Sequence, residues 1–129
     1  MSADVDDFFE ALAEHSHDAV IYVDASGIVQ FWNAGAETIL GFRRDEAVGR
    51  PVDIIIPERL RERHWDGFRR VIRSGSTLPP GWVVTQAMRK DGVVVPLDIT
   101  ILLLRHADRR VRGIVSLMCP RRPDDKQAT

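Results

Sequence analysis

At 129 residues, of which 44% are hydrophobic, the chain has the size and apolar share of one domain around one core, which excludes a two-domain enzyme. With 18 Lys and Arg against 19 Asp and Glu the formal charge is −1, so no summed positive field draws the chain onto nucleic acid or anionic lipid. The single cysteine, Cys119, excludes a disulfide framework and every multi-cysteine metal site and points to a reducing compartment, the cytosol.

The acidic N-terminus does not read as a signal peptide, and no apolar run is long enough to span a bilayer; the longest, Val93 to Leu104, is broken by Pro96, Asp98 and Thr100. Asp4 is placed to cap a first helix in which Val5, Phe8, Phe9 and Leu12 recur at three- and four-residue steps, ending near His15. Two β-type runs, Ala19 to Val23 and Ile28 to Trp32, flank Asp24-Ala25-Ser26-Gly27 and read as a hairpin. Asn33 then caps a short helix through Ala36, Ile39 and Leu40, which Gly41 stops.

Arg44 to Gly49 reads as one helical turn, and Pro51 to Ile56 as another compact turn. Pro57 to about Ser74 reads as the best helix in the chain, with Glu58 in its first turn, arginines toward its end and Gly75 after the stop. The runs Gly81 to Arg89 and Val93 to Leu104 surround Asp91-Gly92, read as a two-residue type I′ turn with positive φ at both positions. A last strand, Val111 to Cys119, precedes a charged, proline-broken tail.

This order predicts an α+β domain: a five-stranded antiparallel sheet with the helices gathered over one face. Strict alternation supports it, because Val95, Leu97, Ile99, Ile101 and Leu103 share one face of the fourth strand. The chain divides into an amphipathic helix over 1–15, the domain proper over 16–120 and a flexible tail over 121–129.

On a wheel of about 100° per residue, Leu60, His64, Gly67, Phe68 and Val71 share one third of the long helix, and the charged residues, Arg63 and Arg70 among them, are assigned to the other side. His64 therefore faces the sheet, and Gly67 leaves empty volume beside its ring. No phosphate loop, nucleophile elbow or carboxylate pair assembles, so the chain reads as a non-enzyme. His15, His17 and His106 make no convincing metal set. Trp32, Trp65, Phe42 and Met88 read as core.

Several strings, in order and spacing, are similar to those of the PAS sensor family: Ile21-Tyr22-Val23-Asp24-Ala25-Ser26-Gly27, Trp32-Asn33-Ala34-Gly35-Ala36-Glu37, Leu40 to Pro51, Ile56-Pro57-Glu58-Arg59-Leu60-Arg61 and Arg89-Lys90-Asp91-Gly92-Val93. The resemblance covers roughly Phe8 to Pro120 and implies a PAS fold with sheet order 2-1-5-4-3, a ligand cavity between helices and sheet, and dimerisation through the N-terminal helix. It also implies a cofactor, since haem-containing PAS domains of oxygen-sensing kinases hold the iron by a histidine of this helix, at an interval similar to that of His64. Arg70 is then the rim arginine for the propionates, Gly67 and Phe68 border the ring, and Trp82 is the aromatic at the cavity mouth.

Two positions depart from that pattern: Val83 stands where the oxygen-binding relatives place a polar arginine, and Gly67 where they tend to carry an aromatic. Without a cysteine in the helical block, a cysteinyl flavin adduct is disfavoured, and a noncovalent flavin ranks behind haem. Against haem ligation stands a core histidine hydrogen-bonded to a carbonyl or water.

The reading is therefore a cytoplasmic PAS sensor that binds a small apolar ligand or cofactor, forms a homodimer, and signals to an effector in trans or in a region outside this chain, with neither nucleic acid nor membrane as a direct partner. A histidine kinase, a cyclic-dinucleotide enzyme and a transcription factor all suit that effector role. The rival reading is a ligand-free dimerisation module, with Val5, Phe8, Phe9 and Leu12 packing on the outer sheet face.

Overall fold

The computed structural model of the chain describes residues 3–76 and 81–121. The charged tail beyond Arg121 and the Pro79-Pro80 pair lie outside the described residues.

The first hairpin joins β1 (Ala19–Asp24) to β2 (Val29–Trp32). Its turn is held by Gly27 N–H donating to Asp24 O at 2.9 Å, with Gly27 at φ 83°, a conformation glycine adopts without a Cβ penalty. The Asp24 carboxylate also accepts from Ser26 N–H and Ile28 N–H, so the turn satisfies its own backbone donors.

Asn33 does more than the helix cap its sequence suggests. Its Oδ1 accepts from Ala36 N–H at 2.9 Å, capping α2 (Ala34–Leu40), and also from Val20 N–H in β1 at 2.8 Å. Its Nδ2 donates to Asp18 O and to Ala13 O, the latter in α1 (Ala3–His15). One wholly buried amide thus joins two helices and a strand, with donor and acceptor both satisfied. Gly41, at φ 84°, ends α2 as expected.

After α3 (Arg44–Ala47) and a 3-10 turn over Val52–Ile55 comes the long helix, which starts later than its sequence suggests. Pro57 keeps an extended backbone, a separate 3-10 turn covers Glu58–Leu60, and α4 runs over Arg61–Ser74. Leu60 N–H donates to Pro57 O at 2.8 Å, the i to i+3 bond that tightens this entry. Gly75, at φ 72°, closes the helix.

The remaining strands are β3 (Val83–Met88), β4 (Val94–Arg105) and β5 (Val111–Pro120), and all five form one antiparallel sheet in the order β2-β1-β5-β4-β3. This is the order and architecture of the PAS fold, with the helices over one face and α1 leading. Leu97, Ile21, Val29 and Trp32 are fully buried between the layers, each worth about 1.5–3 kcal/mol of hydrophobic stabilisation.

The β3–β4 connection corrects the type I′ expectation. Only Gly92 has positive φ, at 87°; Asp91 does not, because Gly92 N–H donates to Arg89 O and Arg89 N–H to Val93 O. This is a type I turn with a glycine bulge, the same solution as at Gly27. The far end of the sheet is tied to α4, as the Arg105 guanidinium donates to Gly75 O and to Arg109 O.

Candidate functional site

Helix α4 meets the rest of the domain through a tryptophan. Trp65 donates from Nε1 to Asp53 Oδ2 at 3.1 Å, and its ring covers Gly27 so closely that a Cβ there would overlap it. Phe68, one turn on, is buried and meets Trp65 edge to face with ring centroids 5.3 Å apart. These contacts hold the helix at one edge of its inner stripe and leave the middle of the stripe over open volume.

That volume is a cavity of about 510 Å³, within the ~300–1,000 Å³ range of small-molecule sites. The sheet side is mostly apolar, from Ile21, Ile99, Ile101, Ile114 and Met118, with Thr85, Thr100 and Ser116 as its hydroxyl-bearing residues. The helix side presents His64, Gly67, Phe68 and Val71. A Cβ built on Gly67 meets nothing within 4 Å, so the glycine leaves space at this wall.

His64 stands edge-on to Trp65, ring centroids 4.8 Å apart, and tilted against Phe68 at 6.2 Å. Its Nδ1 is buried without a hydrogen-bond partner among the described residues, so none of their backbone carbonyls holds that nitrogen. Burial pushes the imidazole below its ordinary value, a shift opposed by the Asp53 carboxylate. The ring is therefore neutral at physiological pH, the form in which a nitrogen donates its lone pair to a metal.

The structure brings His64, Gly67, Phe68, Arg70 and Val83 onto one cavity. Trp82 is not among its lining residues: it is 55% exposed and shares the outward parity of Val84, while Val83 and Thr85 point in. Arg70 lines the cavity, as its rim role expects. A second correction concerns Arg63, assigned to the solvent side of the helix, which lines the cavity too because it stands within about 60° of Gly67, at the edge of the cavity face. Arg63, Thr85 and Ser116 escaped the sequence reading; the signal for Thr85 is the strand parity it shares with Val83, and for Ser116 the parity of Ile114 and Met118.

A helix packed across a five-stranded antiparallel sheet in the order β2-β1-β5-β4-β3 defines a class of α+β domain. The family model described as the PAS fold matches residues 7–120, and the chain belongs to that family. It is 36% identical over 89 residues to the sensor protein FixL of Bradyrhizobium diazoefficiens, covering 65% of this chain and 17% of that protein. It is 33% identical over 86 residues to the oxygen sensor protein DosP of Escherichia coli, covering 66% of this chain and 11% of that protein. The chain thus spans less than a fifth of the length of these curated relatives. Among solved structures, the PAS domain of a protein from Colwellia psychrerythraea superposes with TM-score 0.80 at 17% identity, covering 92% of this chain and 98% of that one, a likeness of fold alone. No helix among the described residues is long and apolar enough to cross a membrane.

Proposed function

We propose that this chain is a non-catalytic, cytoplasmic sensory PAS domain that signals to an effector in trans or in a region outside this chain, and that the α4 cavity binds a small apolar ligand or cofactor, haem held by His64 in particular. The observation that carries this reading is the neutral imidazole of His64 on the wall of a mostly apolar cavity of about 510 Å³.

The residues present fit haem. His64 would ligate the iron, the isoleucines of β4 and Ile114 would exclude water, and Arg70 would meet the carboxylates at the rim. Haem, when bound, supplies an iron centre for a diatomic gas. Val83 lines the cavity but offers no hydrogen bond, so the site favours carbon monoxide or nitric oxide over a ligand that needs a donor. The sensor names of the two curated relatives support the sensing role.

The test is reconstitution of the purified chain with haemin. A Soret band that is lost or shifted in His64→Ala is the expected result; identical spectra for the two proteins would sink ligation by His64.

A second reading has its own support. Phe8, Phe9 and Leu12 of α1 are 60%, 59% and 54% exposed, and Val84, Leu102 and Leu104 stand exposed on the outer face of the sheet. Homodimerisation of α1 against that face would cover both. Removing residues before Ser16 then yields a monomer by sedimentation, and a truncated chain that still dimerises refutes this interface.

A further inference from the structure

The two edges of the sheet differ. At β2 the outer edge is closed: Val29 N–H donates to Arg50 O, Gly49 N–H to Val29 O and Val52 N–H to Gly27 O, with an antiparallel bridge between Ile28 and Pro51. At the opposite edge β3 pairs with β4 on one side only. Arg89 N–H donates to Val93 O, so Arg89, Ala87, Thr85 and Val83 turn their backbone groups to β4, while Val84, Gln86 and Met88 turn theirs away. Pro96, which has no N–H, stands opposite Gln86, where that ladder needs none.

Among the described residues, no backbone partner meets the outward N–H and C=O groups of Val84, Gln86 and Met88. Beyond Met88 the edge closes again, because Lys90 N–H donates to Leu40 O. The open stretch from Trp82 to Met88 is exposed at Trp82, Val83, Val84 and Gln86. It holds none of the devices that keep sheet edges from pairing: no charged side chain, no proline and no bulge. Its centre is Thr85.

We infer that the open edge of β3 is an interaction surface for a second copy of this chain, the two β3 strands pairing antiparallel about a two-fold axis at Thr85. An uncharged strand meets its own copy without setting like charges opposite each other, and a sheet with its other edge closed yields a closed dimer, not a growing filament. In this register Val84 bonds with Gln86 of the second copy, and the two Thr85 residues face each other across the axis. Trp82 then lies against Met88 of the second copy, a thioether-on-aromatic contact that gives this exposed indole, absent from the cavity lining, a partner. The pairing rests neither on haem nor on docking of α1 against the outer sheet face. Because Val83 and Thr85 line the cavity, it brings a second chain to the cavity's edge.

Sedimentation equilibrium of the full chain tests the inference. The parent is expected to dimerise, and Gln86→Pro to weaken the dimer about tenfold or more, since it removes one edge donor from each copy. That variant leaves the β3–β4 ladder whole, so at dilutions where the chain is monomeric its urea midpoint should match the parent's, whereas Ala87→Pro, which removes a ladder donor, should lower it. Independently of any proline, Thr85→Cys should give a covalent dimer joined at position 85 on mild oxidation, because opposed residues of a non-hydrogen-bonded pair lie close enough for a disulfide. A parent that stays monomeric overturns the inference and leaves the edge to an extended peptide of another chain. A dimer that Gln86→Pro does not weaken, but that removal of residues before Ser16 abolishes, overturns it in favour of α1.

Discussion

The Trp65 indole N–H donates to the Asp53 carboxylate at 3.1 Å while its ring covers Gly27, so a single side chain of α4 is held by both the 3-10 turn before it and the first hairpin. Removing the acceptor leaves a part-buried donor unsatisfied. Asp53→Ala is expected to lower stability by about 1–3 kcal/mol, read as a shift in urea midpoint. Gly27→Ala combines positive φ with overlap against the ring and should lose at least as much, roughly 2 kcal/mol or more. A neutral Gly27→Ala would show that Trp65 is not seated as described.

Gly67 makes the opposite prediction. It sits inside a helix with open space where a Cβ would be, so Gly67→Ala should stabilise the ligand-free protein by about 0.5–1 kcal/mol through helix propensity alone. Gly67→Phe should fold yet bind ligand far more weakly, because the ring occupies the chamber. Thermal melts and ligand titrations on the same two variants separate the effects; a destabilised Gly67→Ala would mean that the space is not there.

The depressed His64 imidazole links stability to pH with a definite sign. In the unfolded chain the ring takes up a proton near its ordinary value of 6.5, whereas in the folded chain burial holds protonation to lower pH. As pH falls through 6.5 the unfolded state binds more protons, so stability declines until the folded-state value is passed, and it is restored as pH rises again. Urea midpoints of the parent should therefore fall between pH 7.5 and pH 5 more steeply than those of His64→Gln, and parallel curves would contradict the burial of the ring.

Asn33 should be among the least replaceable polar residues. Asn33→Ala removes the cap on α2 and strands the Val20 N–H, with an expected loss of about 2–4 kcal/mol. Asn33→Asp keeps an acceptor for both N–H groups but sets a second oxygen against Ala13 O and Asp18 O. Amide exchange in α1 should then rise more than in α2, and equal protection of both helices would argue that the amide does not hold α1.

Much of the architecture could be read from local signals. The period-two pattern of β4, Asn33 before α2 and the glycines after the helices each express a local steric or hydrogen-bonding rule, so the elements and their order were legible. The misreadings arose where two local solutions compete. Asp91-Gly92 suits both a type I′ turn and a type I turn with a bulge, and the Arg89 and Val93 pairing decides for the latter. Pro57 suits helix position one, yet an extended φ and ψ pair with a 3-10 turn takes it.

At the cavity, His64 and Gly67 were legible because an apolar stripe containing a histidine and a glycine breaks its own pattern. Arg63 was not, since its charge assigned it to solvent although its Cβ stands about 40° from that of Gly67, at the edge of the cavity stripe. Trp82 was misplaced by one step of strand parity, which sequence leaves undetermined until β3 is registered against β4.

The Asn33 amide also acts as a mechanical joint. It grips the end of α1 at Ala13 and, through the same planar group, the backbone of Val20, one residue from the cavity wall at Ile21. A pull on the leading helix therefore arrives beside the cavity wall through one side chain, and a displacement of that strand pushes back along the same short lever.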